Sequence, residues 1–335
     1  MADRSFTARR SHRFTGVRGG ARRWLPYALI GPALVVELVV HVVPMALGIW
    51  FSLTGLDRST IGDWTGAPFV GLRNLRTGLD PAGPIGAELW ATLARTAIFA
   101  IIVVTVSWSI GVVVAWLMAS EFRGRSALRV LFLVPFAVPG FVAAIGWSFM
   151  FSRDYGAVNQ LLVDGLGAVS DRPFWLIGDN AFWVVAVVWI WNVWPFAYLM
   201  SSAAMSAIPS DVHDASALDG AARWRQFWSI SLPLIWPVNA VVILVMSLWA
   251  FNEFGVAYVL FGPRPPESAT FVANLVHGHS FTDAAFGVGA AMNLLVAGLL
   301  LIGVLTYVRI ARRCGWCSSW RCRCWAPVPR EGRRA

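Results

Sequence analysis

Six long apolar stretches, separated by polar and turn-forming segments, dominate the chain: Leu25–Leu53, Ala97–Ala119, Val130–Phe151, Ala181–Ala207, Leu232–Phe261 and Ala284–Val308. Each reaches the roughly 20 residues that a helix needs to cross about 30 Å of hydrocarbon. The weakly hydrophobic alternating strands of about 10 residues that mark a membrane barrel are not seen. The pattern predicts an all-α integral membrane protein with six transmembrane helices, at about 25–53, 91–119, 130–151, 181–207, 232–261 and 284–308. They form one membrane domain over 25–310, with a polar loop at 208–233 and basic tails at 1–24 and 311–335. The arginine-rich start resembles the n-region of a signal peptide, but the apolar run after it is too long and lacks a small-residue cleavage site. The first helix is therefore expected to stay as an anchor. No solenoid-type repeat is evident.

Composition agrees with the pattern and narrows the chemistry. The 335 residues are 57% hydrophobic and 13% charged, and the mean hydropathy is +0.63. All 27 basic residues counted as Lys or Arg are arginine. Without lysine there is no Schiff-base site for pyridoxal phosphate or retinal, and no Walker A loop. If ATP drives this protein, another chain binds it. The four cysteines fall at Cys314, Cys317, Cys322 and Cys324, so the body of the chain offers no disulfide and no cysteine nucleophile. Their spacing is too short for a zinc ribbon; palmitoylation, a structureless tail or a shifted reading frame from Gly315 onward are the alternatives.

The net charge of +9 is a topology signal. Twenty of the 27 arginines fall in the amino-terminal tail, the second-to-third and fourth-to-fifth connections, and the carboxyl end. Arginine collects on the cytoplasmic side, so both termini are expected there. That distribution removes nucleic acid as a reason for the charge.

The fourth-to-fifth connection carries the most information. Pro209 and Ser210 open it like a helix start, small residues follow at helical spacing, and Gly220 closes a short helix where left-handed backbone is needed. Ala215, Ser216, Ala217 and Ala221 let another backbone approach closely, so the spacing describes either a docking helix or an ordinary interfacial connection. Asp214-Ala215-Ser216, three residues, Gly220, nine residues, Ile230-Ser231-Leu232-Pro233 resembles the EAA motif of binding-protein-dependent ABC importer permeases, with Asp for Glu and Ser for the second Ala. Leu133–Pro139, Trp147–Asn159, Trp191–Phe196, Phe251–Phe254 and Ala285–Ala291 fall in the order of the carbohydrate-uptake branch, the maltose-permease F-subunit type. The similarity covers roughly Leu25 to Arg313.

The resemblance implies the type I importer permease fold in an inner, or plasma, membrane. It also implies a heterodimer with a second permease subunit, two cytoplasmic ABC ATPase domains, an extracytoplasmic solute-binding protein and a carbohydrate as cargo, with membrane lipid around the subunit. On that reading the chain is a transport subunit with no catalytic residue, cofactor or metal of its own. Asp214, Ala215, Ser216, Asp219, Gly220, Ala221 and Phe227 are then the ATPase-coupling residues. Asp214 and Asp219 have two roles open to them, pairing with ATPase arginines or capping a helix start, and capping is expected of Asp214.

Polar groups inside apolar runs are functional suspects. Glu37 and His41 lie one helical turn apart in the first span, as a satisfied pair or as a proton relay. Asn192, Trp194, Trp249, Asn252 and Glu253 offer hydrogen bonds and stacking surfaces suited to a sugar path, although tryptophan also serves as interfacial belt and packing. Asn239 is expected to bond between helices, and His277 and His279, at i and i+2, read as loop residues. Within the family, glycerol phosphate or a polyol is the rival cargo; outside it, a proton-coupled secondary transporter using Glu37 and His41 is the rival mechanism.

Overall fold

The computed structural model describes residues 25–315, so the amino-terminal arginines and the cysteine-rich stretch from residue 316 onward lie outside the described residues. The chain divides into two units, up to Trp50 and from Phe51 onward. The first is helical: α1 (Leu25–Glu37), a π-helical turn at Leu38–Val42, and α2 (Val43–Ser52), together long and apolar enough for one span. The π-turn begins one residue after Glu37 and contains His41, whose Nδ1 lies 3.3 Å from Glu37 Oε2.

The second unit opens with an irregular loop closed on itself, where Gly55 N donates to Pro68 O and Val70 N to Leu53 O. The buried Asn74 of α3 (Arg73–Leu79) donates to the carbonyls of Ser52 and Thr54. The second long helix, α4 (Pro84–Leu117), starts seven residues before the expected 91, because Pro84 is preorganised for a first helical turn.

The expected single span at 130–151 is two helices. They are α5 (Arg125–Ala137) and α6 (Gly140–Met150), bent by 93° at Val138 and Pro139. Proline cannot continue the hydrogen-bond ladder and pushes the residue before it into extended backbone, and Val138 has φ −78° and ψ 124°. A short turn, α7 (Ala157–Asn159), leads by an irregular connection into α8 (Asn180–Ser206). Next come α9 (Ser210–Leu218), α10 (Arg223–Gln226) and α11 (Leu232–Phe251). The expected fifth span also breaks, after Phe251, and resumes as α12 (Gly255–Phe261). α13 (Val272–His277) precedes the last long helix, α14 (Phe286–Gly315). Five helices are long and apolar enough to cross a membrane, six if α5 and α6 count as one span, and no strand occurs among the described residues.

The core of the second unit lies where α4 meets α8. An added Cβ at Gly111 of α4 would lie 2.6 Å from both Ala197 Cβ and Tyr198 N of α8, so only hydrogen fits there. Small residues permit such close crossings where lipid supplies no hydrophobic drive between helices. Toward one end, Phe99, which is fully buried, packs against Phe182, Trp189 and Phe271.

Candidate functional site

The loop at 208–233 folds as the glycine spacing predicts. α9 starts after Pro209 and carries Asp211 in its first turn, where a negative charge suits the helix dipole. It ends in two bonds that wrap a left-handed residue, Ala221 N to Ser216 O at 3.1 Å and Gly220 N to Ala217 O at 3.0 Å, with Gly220 at φ +75°. This is a Schellman closure, and it needs a residue without Cβ strain at position 220.

Three of the loop residues differ from the sequence expectation. Ser216 is buried and donates from Oγ to His213 O, so it faces its own chain. Phe227 is 2% exposed and stacks on Trp116 at the end of α4, with ring centroids 5.1 Å apart and Trp224 and Trp228 around it. Asp214 is the fifth residue of α9 and caps nothing, because the helix starts at Ser210. Asp214, Ala215, Asp219 and Gly220 are exposed, and Ala221 is half-buried. The sequence reading passed over Leu218, which is 90% exposed beside Gly220. An apolar residue at the last position of a polar helix was the available signal. Together Asp214, Ala215, Leu218 and Asp219 give α9 an outward surface of small, apolar and acidic groups.

Behind this loop the long helices are tied to one another. The fully buried Asn239 of α11 accepts at Oδ1 from Trp108 Nε1 of α4 at 3.0 Å and from Ser201 Oγ of α8 at 2.9 Å, and its Nδ2 donates to Ile235 O. One amide thus joins three helices, which is the interhelical role its position suggested.

The residues proposed for a solute path are found at the helix breaks. Asn192, about 18 Å into α8 and so near its middle, donates from Nδ2 to Pro135 O at 2.7 Å and to Val138 O at 3.1 Å. Both amide hydrogens are thereby committed to the carbonyls that the α5–α6 bend releases, leaving only Oδ1 for anything else. Trp194 stands edge-on to Phe132, and Trp249 packs against Phe196, one turn beyond Asn192. Glu253 Oε1 accepts from Val256 N at 2.7 Å at the start of α12, and Asn252 Nδ2 donates back to Leu248 O. None of these five lines a cavity among those described in the fold.

A third group of polar residues was undervalued in the sequence. His279 lies between Glu88 Oε2 at 3.1 Å and Asp283 Oδ2 at 3.5 Å, Arg264 pairs with Asp283, and Arg95 pairs with Glu267 at 2.9 Å. His279, read from the sequence as a loop residue, therefore stands between two carboxylates, one four residues on and one from the distant α4. No group of His, Cys, Asp and Glu among the described residues is placed to hold a metal ion. These residues line a cavity of about 470 Å³. The His277 ring lies against those of Phe254 and Phe281 at a tilt and edge-on to Tyr258.

The combination of α9, its glycine closure and the surrounding long helices has counterparts among known proteins. Residues 107–315 match the family described as the binding-protein-dependent transport system inner membrane component. The chain belongs to this family. The permease is 31% identical over 290 residues to the trehalose/maltose transport system permease protein MalF of Thermococcus litoralis, covering 86% of this chain and 94% of that protein. It is 27% identical over 297 residues to the trehalose transport system permease protein SugA of Mycobacterium tuberculosis, covering 88% and 91%. In fold it is similar to a chain of a bacterial ABC transporter involved in the import of the acidic polysaccharide alginate, with a TM-score of 0.72, 20% identity, and coverage of 88% of this chain and 97% of that one. It is thus an inner-membrane permease of the importer kind.

Proposed function

We propose that the permease forms half of the translocation path of an ATP-driven sugar importer, with α9 as the element that a separate ATPase engages. The names of its relatives support a sugar as cargo. The observation that carries the coupling role is the exposed face of α9, with Leu218 90% exposed and Ser216 buried on the side turned away from it. A single exposed leucine is ordinary; what supports docking is that it stands beside the small Ala215 and Gly220 and the acidic Asp214 and Asp219, all exposed on one short helix and its closure.

On this reading the other half of the path is a second permease subunit, two ATPase domains lie on the cytoplasmic side, and an extracytoplasmic binding protein delivers the solute. Both tails are cytoplasmic, as the arginine distribution expects. When ATP draws the nucleotide domains together, α9 moves with them. The stacked rings of Phe227 and Trp116 and the three-helix bond at Asn239 then carry that displacement into α4, α8 and α11, and access alternates between the two sides. The solute passes the helix breaks, where Trp194, Trp249, Asn252 and Glu253 bring polar and aromatic groups to the path and Asn192 positions the α5–α6 bend beside it.

The test is uptake of labelled trehalose and maltose by cells whose own copy is replaced by Gly220→Trp or Leu218→Asp. Both variants should insert normally, lose co-purifying ATPase and lose uptake. Uptake at the level of the parent chain by either variant overturns the coupling role of α9.

A further inference from the structure

Beneath the α9 loop lies a cavity of about 400 Å³ whose charge is unbalanced. Arg125, Arg223 and His213 line it, the polar remainder includes Ser120, Ser210 and Gln226, and no carboxylate is among the lining residues. Arg223 donates to Ser120 Oγ, which is neutral and leaves the guanidinium charge in place. Arg125 Nε is buried and has no hydrogen-bond partner. Among the described residues neither arginine is paired with an Asp or Glu. The buried Nε of Arg125 carries the cost of an unmade hydrogen bond, and the exposed Arg223 guanidinium beside it adds like-charge repulsion; an anion between them would relieve both.

The surroundings strengthen the same charge preference. Arg125 and Ser210 are the first residues of α5 and α9, so the positive dipole end of α5 lies at the cavity rim, while that of α9 is offset by Asp211 in its first turn. The aromatic group of Trp116, Trp224, Phe227 and Trp228 flanks the cavity, with Trp224 and Trp228 more than half exposed. Tryptophan collects at the level of lipid headgroups, so the cavity opens at that depth.

We infer that this cavity is a binding site for a phosphate-bearing anion, held by the forked donors of Arg125 and Arg223. Guanidinium matches phosphate oxygens in pairs, where a lysine ammonium would give a point charge. The anion bridges the start of α5, the end of α4 and the α9–α10 connection, so its occupancy stiffens the loop from behind. This inference does not depend on what engages the outer face of α9.

The experiment uses the full-length chain, in the assembly with which it purifies, in nanodiscs of phosphatidylcholine with or without phosphatidylglycerol. Retained lipid is counted by native mass spectrometry and the thermal midpoint is followed in parallel. Preferential retention of phosphatidylglycerol that falls about tenfold or more in Arg125→Gln/Arg223→Gln and is only partly restored in Arg125→Lys/Arg223→Lys, which keeps the charge and loses the fork, supports the site with lipid as the source. Protection of the parent chain, but not of the Gln variant, by inorganic phosphate in phosphatidylcholine alone supports it with a soluble anion as the source. Arg129→Gln/Arg225→Gln removes the same charge outside the cavity; an equal loss there reduces the effect to diffuse electrostatics and overturns the site. So does a parent chain that neither anion distinguishes from the Gln variant. Should that variant fail to fold, photolabelling of the parent chain by phosphatidylglycerol with a reactive headgroup decides. Labels at the starts of α5 and α9 support the site, and labels confined elsewhere overturn it.

Discussion

Trp108 Nε1 donates to Asn239 Oδ1 across 3.0 Å, joining α4 to α11 at the same oxygen that Ser201 of α8 uses. Removing that oxygen strands an indole N–H and a hydroxyl inside the helix bundle. Hydrogen bonds between membrane helices average about 0.6 kcal/mol and reach about 1.7 kcal/mol, so Asn239→Leu should lose roughly 1–3 kcal/mol in reversible unfolding. The double variant Asn239→Leu/Trp108→Phe should recover part of that loss. Strict additivity of the two substitutions would sink the shared-acceptor account.

Gly111→Ala tests the α4–α8 crossing. A methyl group 2.6 Å from Ala197 Cβ and Tyr198 N cannot be absorbed by rotating a side chain, so the helices must part. The expected loss is about 1–3 kcal/mol, read as a lower thermal midpoint in detergent. Gly146, which has nothing within 4 Å of an added Cβ, is the control, and Gly146→Ala should be neutral or slightly stabilising.

Asn192→Leu separates a positioning role from a solute contact. The substitution leaves Pro135 O and Val138 O without their donor in a medium that offers no replacement. The chain should become less stable by about 1–3 kcal/mol, with uptake falling in proportion to folded protein. Unchanged stability with a raised KM for sugar would instead make this amide a solute ligand.

Asp57 organises the loop after α2. Its Oδ1 accepts first from Ser59 Oγ and Ser59 N, then from the Thr60 hydroxyl and amide, and these bonds hold its carboxyl below the ordinary carboxylate range. A depressed folded pKa means the stabilisation is present above the unfolded value and fades as pH falls through the folded one. Amide exchange at Ser59 and Thr60, corrected for intrinsic pH dependence, should therefore rise on acidification below about pH 4. Asp57→Ala should show the faster exchange already at neutral pH; slow exchange in that variant would disprove the role.

Most of the architecture is legible in the hydropathy pattern because spans and their flanking arginines are local properties. Gly220 is legible for the same reason, since a left-handed helix end is a demand on one residue. The break at Val138 and Pro139 left a signal in the two prolines at 135 and 139, but a proline in a membrane helix can kink or break it. The amide on another helix that accommodates the larger bend, Asn192, lies 53 positions after Pro139. That Phe227 is buried depends on its contact with Trp116, 111 residues away. Of the two carboxylates beside His279, Glu88 likewise comes from α4. Such pairings are properties of the folded chain, and no periodicity encodes them.

The α5–α6 bend has an electrical consequence. Bare carbonyls in the middle of a bilayer would draw in water, and a file of water through the bundle is a wire for protons. The two bonds from Asn192 close that vacancy with a side chain too short to move far, so the bundle can bend sharply and stay insulating. For a subunit that must rearrange without dissipating the membrane potential, this amide is a seal as well as a strut, and its loss should register as leak conductance in a reconstituted membrane.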